Sequence, residues 1–300
     1  MPIQAKIPAL AGSLVVALVT VQGAAGVPGS PSDWIVFSAV PKGIGPTQLF
    51  RVRTDGQGLE QITTGRLSAT APAFSPNGKQ IVFSRLGSGL FRVSLDGSGL
   101  RRLTSGSRDS QPVWSPNGKQ IAFLRPYRTG WRVAVLPAVG GVPHPLPKAP
   151  PAGRPSWIEN GRAIAIPAGG DLVKIDPQTG QVLKYFGLTL DVQTAQTSTV
   201  SPDARTIAYV GPRLSTGPPD CGEARCPQFG LYLANLSRPH RPHKLVNDTG
   251  AAGWAPDGKS LVFVAKGALT LWDIRSSRGT TVATGEHVAT GDFPPAWQPR

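Results

Sequence analysis

Acidic side chains are scarce in this sequence. Seventeen Asp and Glu stand against 31 Lys and Arg, a formal net charge of +14 over 300 residues. Carboxylate pairs for acid–base catalysis therefore have few candidates. There is no Gly-x-Ser-x-Gly elbow and no His-Glu-x-x-His helix signature, so serine-hydrolase and zincin chemistry find no support. The four histidines, His144, His240, His243 and His287, show no ligand spacing that stands out. His240 and His243 sit among prolines and cations in Arg238–Lys244, the composition of a guarded sheet edge rather than a metal site. No catalytic, metal or cofactor residue is assigned. Charged residues are only 16% of the chain, and no long helical period follows the N-terminus.

Long apolar runs are also lacking, with one exception. Ile7–Val21 is apolar, is preceded by Lys6 and is followed by the small residues Gly23-Ala24-Ala25. The run is shorter than the roughly 20 residues a spanning helix needs, and Pro8 and Gly12 interrupt it. Residues 1–25 read as a secretory signal peptide, followed by a Gly/Pro/Ser linker over 26–33. No twin-arginine pair and no cysteine lie near the cleavage site, which argues against folded export and against a lipid anchor. The expected location is periplasmic or secreted, with no stable membrane insertion after cleavage. The chain has two cysteines, Cys221 and Cys226. In an exported protein that close pair predicts a disulfide pinning its loop.

Glycine (36) and proline (31) are abundant, and they are periodic. FSPNGKQIVFSR from Phe74 and WSPNGKQIAFLR from Trp114 lie 40 residues apart. Looser copies are WIENGRAIAI from Trp157, VSPDARTIAYV from Val200 and WAPDGKSLVFV from Trp254; the chain ends on AWQPR with Trp297 in the aromatic place. A period of this length means stacked copies of one supersecondary unit. Each copy is an aromatic strand end, a Pro-Asn/Asp-Gly turn and a β-branched strand. A second hairpin follows, as in Phe91–Leu95, Asp96-Gly97 and Leu100–Thr104. The unit is a four-stranded meander, one blade of a β-propeller.

Six blades result: 34–65 with 294–300, 72–106, 112–147, 155–188, 198–247 and 252–285. Trp34–Ser38 matches the second strand of the repeat, and the C-terminal Trp297 segment matches an orphan first strand. The ring is expected to close by pairing the two chain ends in one blade, which leaves no open sheet edge. The aromatics Phe74, Trp114, Trp157, Trp254 and Trp297 are expected to pack between blades. The 54-residue spacing from Val200 to Trp254 places an insertion at Gly211–Gly230. Gly253–Ser260 spells the phosphate-loop pattern, but a strand, not a helix, is expected after it, so nucleotide binding is not inferred.

The W-S-P-[ND]-G-K-x-[IL]-x-[FY] repeat resembles that of the TolB-like β-propellers, relatives of the WD-type propellers. The resemblance covers residues 34–300. Gly-His and recurrent Trp-Asp pairs of true WD repeats are missing, and with only about eight residues between the expected cleavage site and the first strand, the α/β domain that precedes the propeller in TolB is not expected here. The resemblance implies an exported propeller that binds another protein, often across the axial opening. Some relatives are polysaccharide lyases, which gives the alternative of an enzyme acting on an acidic glycan at the axial mouth.

Charge placement adds a candidate surface. In a meander blade the connections between blades share one face with the loops between second and third strands. Those loops hold Arg66, Arg85, Arg108, Arg125, Arg128 and Arg154, with Tyr127 between two of the arginines. They form the candidate partner-binding set, offset in part by Asp109, Asp191, Asp248 and Asp292. Guanidinium groups suit carboxylates and phosphates through bidentate contacts. The expected partner is a protein or an anionic envelope polymer rather than nucleic acid, and the expected state is a monomer.

Overall fold

The computed structural model describes residues 33–41, 45–188, 197–211, 230–247, 249–284 and 294–299. They form a six-bladed β-propeller of four-stranded antiparallel sheets. Blade 1 consists of Ala296–Trp297, Trp34–Ala39, Gln48–Arg53 and Glu60–Gln61, from the axis outward. Blade 2 is Ala69–Phe74, Gln80–Arg85, Gly89–Ser94 and Arg101–Arg102; blade 3 is Ser110–Trp114, Gln120–Tyr127, Gly130–Pro137 and His144–Pro145. Blade 4 is Ser156–Ile158, Ala163–Ala168, Asp171–Ile175 and Val182–Tyr185. Blade 5 is Thr199–Val200, Thr206–Gly211, Gly230–Asn235 and Arg238–Asn247, and blade 6 is Gly253–Trp254, Ser260–Ala265, Ala268–Asp273 and Arg278–Thr284. Residues 1–32 and both cysteines lie outside the described residues, as do Asp191, Asp248, His287 and Asp292.

The second strand of each blade is apolar through its centre because both of its faces are buried there. Successive side chains point to opposite sides of a sheet. In blade 2, Ile81 and Phe83 enter the core shared with blade 1, while Val82 enters the core shared with blade 3. In blade 3, Ile121 and Phe123 face blade 2, whereas Ala122 and Leu124 face blade 4. Six such cores lie between neighbouring blades, so the hydrophobic interior is a ring of interfaces rather than one centre.

The repeated turn holds each hairpin by side-chain chemistry. Ser75 Oγ donates to Asn77 Oδ1 at 2.7 Å and accepts from the Gln80 N–H at 3.0 Å, while Asn77 Oδ1 also accepts from the Lys79 N–H. Ser115 with Asn117, and Ser201 with Asp203, repeat the arrangement. The fourth residue of the turn sits in the left-handed region, with φ of 67° at Gly78, 69° at Gly118 and 67° at Gly258. Glycine takes that conformation without steric cost. In blade 5 the residue is Ala204, at φ 58°.

Inner strands are tied to one another by the repeat aromatics. The Trp157 indole Nε1 donates to the Val113 carbonyl at 3.2 Å, and that of Trp254 donates to the Thr199 carbonyl at 3.1 Å. Each bond crosses from one blade to its predecessor, so these rings are interblade locks, as their place in the repeat predicts. Closure follows the expected route: Ile35 pairs with Trp297 and Val36 with Ala296. Gln298 extends the seam. Its backbone N–H donates to the Trp34 carbonyl at 2.8 Å, and its side-chain amide donates to the Gly78 carbonyl in blade 2 at 2.9 Å. The Gly253–Ser260 segment is the same turn between two strands, with Asp257 Oδ1 accepting from the Lys259 N–H, and it opens no helix.

Candidate binding face and axial cavity

The register sets which loops share a face. Ala69 lies opposite Arg85, and Ser110 lies opposite Leu124, so the start of each inner strand is level with the end of the second strand. The connections between blades and the loops after the second strands therefore converge on one side of the ring, where the seven candidate residues were expected.

Their local environments differ. Arg125 is committed within the protein. Its Nε and Nη2 donate to Asp109 Oδ1 and Oδ2 at 2.7 and 2.6 Å, and the Asp109 side chain is fully buried. That bidentate bond raises the Arg125 pKa above its ordinary value, against the opposing effect of burial. The guanidinium also lies 5.3 Å from the Phe123 ring centroid. Asp109 thus fixes the blade 2–3 connection. Arg85 is similarly occupied: its Nη2 donates to the Thr64 carbonyl at 2.7 Å, and its guanidinium lies 5.3 Å from the Phe91 ring. Desolvation lowers its pKa.

Arg66, Arg108 and Arg128 are exposed, and Tyr127 is 38% exposed. Arg108 rests over the Trp131 ring at 5.5 Å, a placement that orders the side chain and leaves its charge accessible. Among the described residues these three arginines take part in no salt bridge. Exposed Lys148 and Lys266 lie in loops of the same face.

Arg154 is in a different position. It lines a cavity of about 300 Å³ with Val113, Trp114, Trp157, Thr199 and Val200 from the innermost strands of blades 3, 4 and 5. Its Nη1 is shielded from solvent and has no hydrogen-bond partner. Burial without a counter-charge pushes its pKa down to about 10. Gln111 was not among the candidates. It is buried, and its Oε1 likewise has no donor. Counting back three residues from the strand aromatic gives Ala71, Gln111 and Arg154 in blades 2, 3 and 4. Aligning the repeats gives that correspondence in sequence; a rim assignment from loop position alone does not.

His144 and His243 are exposed on outermost strands, where the composition around them predicts an edge. Among the described residues no three His, Cys, Asp or Glu side chains cluster as metal ligands. No helix in the described residues is long and apolar enough to cross a membrane.

This arrangement defines the class: a closed six-bladed propeller with a Ser-Pro-Asn-Gly turn in blades 2 and 3 and variants of it in blades 4, 5 and 6. Residues 30–160 match the TolB beta propeller domain, and the molecule is similar in fold to the TolB-like β-propellers. TolB from Acinetobacter baumannii superposes with a TM-score of 0.70 at 17% identity, covering 92% of this chain and 69% of that one. A putative TolB from Agrobacterium tumefaciens gives 0.61 at 17% identity, covering 89% and 94%. A chain from a nidogen/laminin complex gives 0.61 at 12% identity, covering 88% and 98%. At these identities the likeness is one of fold. No curated protein matches the sequence.

Proposed function

We propose that this protein is an exported, non-enzymatic binding module of the cell envelope or exterior. Its partner is a protein or anionic polymer that meets the loop face through acidic groups. The observation that carries the reading is the set of exposed arginines on that face: Arg66, Arg108 and Arg128 have no salt-bridge partner among the described residues, and Tyr127 stands beside Arg128. Arginine and tyrosine are the residue types that anchor interfaces. A similar fold occurs in a chain from the nidogen/laminin complex, a protein–protein assembly. The signal-like residues 1–25 support export, and a Cys221–Cys226 disulfide fits an oxidising compartment. Intact-mass measurement with and without reductant before alkylation tests that bond; two alkylated thiols in unreduced protein would refute it.

The test of function is capture from envelope extract by immobilised protein starting at Gly26, at low and at high salt. A discrete partner released by salt is expected, because exposed charge contacts are screened. The triple variant Arg66→Glu, Arg108→Glu, Arg128→Glu is expected to lose it while unfolding at the wild-type temperature. Capture unaffected by the triple change would overturn the loop-face reading. A glycan recovered shortened would instead favour the lyase.

A further inference from the structure

The loop-face reading leaves one charged group unused. Arg154 lies in the cavity among the innermost strands of blades 3, 4 and 5, and has no acceptor among the described residues. A half-buried guanidinium with a shielded N–H group and no partner is costly, and proteins ordinarily pair or hydrogen-bond such groups. Among the described residues the walls offer no counter-charge. Val113, Trp114, Trp157 and Val200 are apolar or aromatic, and Ser156 and Thr199 are neutral.

We propose that this cavity is a receptor site for a small carboxylate, with the Arg154 guanidinium as its anchor. The ligand class follows from what is unsatisfied. One guanidinium presents parallel N–H donors that match one carboxylate and offset one negative charge. A dianionic phosphate would call for a second cation or a run of backbone N–H groups, and among the described residues the cavity lining supplies neither. The volume of about 300 Å³ is at the small end of ligand pockets, enough for a short hydroxy acid or a single uronate ring. The aromatic walls, Trp114 and Trp157, offer ring faces to such a ligand. Strength comes from charge-assisted hydrogen bonding to the solvent-shielded Nη1, so added salt should screen this site less than the exposed arginines.

The site is independent of the loop face, and the experiment separates the two. Protein starting at Gly26 is titrated with galacturonate, with galactose as the neutral ring and with inorganic phosphate, following both the unfolding temperature and calorimetric binding at low and at high salt. A saturable response to galacturonate that survives high salt is expected, with none to galactose and a weaker one to phosphate. Arg154→Gln is expected to weaken binding by at least about tenfold, the range for losing a hydrogen bond to a charged group. Arg154→Met, which removes the unpaired charge, is expected to raise the unfolding temperature of the ligand-free protein and to abolish the galacturonate response. A purely structural arginine, paired within the chain, would behave oppositely: Arg154→Met would lower the unfolding temperature, and wild type would not respond. Either that pattern, a galacturonate response unchanged in Arg154→Gln, or an equal response to phosphate would overturn the proposal.

Discussion

Replacing Ala204 by glycine should stabilise this propeller, although it deletes a methyl group. Ala204 occupies the turn position filled by Gly78, Gly118 and Gly258, and its φ is 58° where theirs are 67°, 69° and 67°. An L-residue in that region costs about 1–2 kcal/mol from the approach of Cβ to the carbonyl. Glycine relieves the strain but adds about 0.5–1 kcal/mol of backbone entropy to be lost on folding. The Ala204 methyl packs, half-buried, against the core between blades 4 and 5, and its loss costs a few tenths of a kcal/mol, well below the ~0.8 kcal/mol of a fully buried CH₂ group. The balance favours Ala204→Gly by about 0.5 kcal/mol, or about 1–2 °C in a domain of this size. Reversible thermal unfolding by circular dichroism, supported by urea titration, resolves such a shift. Gly118→Ala is the converse. A methyl there would meet Pro76 Cδ at 3.7 Å, an ordinary contact, so the cost is conformational and about 1 kcal/mol. Destabilisation by Ala204→Gly together with a neutral Gly118→Ala would refute the claim that backbone conformation at this position sets the turn's energy.

Other outcomes follow from the seam, the buried ion pair and the turns. Trp297→Ala empties a core position between blades 6 and 1 and should cost about 3–5 kcal/mol by urea unfolding; a loss below 1 kcal/mol would mean that the terminal strand does not close the ring. Gly253→Ala should destabilise as severely, since the added methyl would overlap the Pro295 carbonyl; hydrogen exchange should then rise in Trp34–Ala39 first. Asp109→Asn breaks the bidentate bond to Arg125 and should cost about 2 kcal/mol, less than for a wholly buried pair because Arg125 keeps 24% exposure; unchanged stability would show that the pair only positions the loop. Asp176 accepts from the Thr179 N–H and hydroxyl and from the Gln178 N–H, which hold its pKa below the usual value; Ser98 does the same for Asp96 and Ser276 for Asp273. A carboxyl depressed in the fold contributes stability that is present above its unfolded pKa near 4 and lost as pH falls through the folded value. Stability should therefore decline below about pH 4, and Asp176→Asn should flatten that decline.

The repeat made most of the fold legible without coordinates. Alternation in Phe91–Leu95, turn chemistry in Ser-Pro-Asn-Gly and a forty-residue period are local signals, and each maps onto one strand, turn or blade. Terminal closure was legible too, because Trp34–Ser38 and Pro295–Trp297 each hold half of one repeat. The apolar runs at Ile81–Phe83 and Ile121–Leu124 follow from the same logic, since a blade packed on both sides buries both faces of its second strand.

Tertiary structure decided how the arginines divide. Loop position in the sequence treats Arg85, Arg125, Arg128 and Arg154 alike. Packing across blades gives Arg125 a buried carboxylate and Arg85 a carbonyl, leaves Arg128 in solvent, and places Arg154 in a cavity among three inner strands. The physical reason is that a charge's role depends on partners and solvent within a few ångströms, and those come from residues 16 to 45 positions away in the chain, as with Asp109 for Arg125 and Thr199 for Arg154. Sequence alone determined the ring; the meeting of its blades determined which of its charges remain available to a ligand.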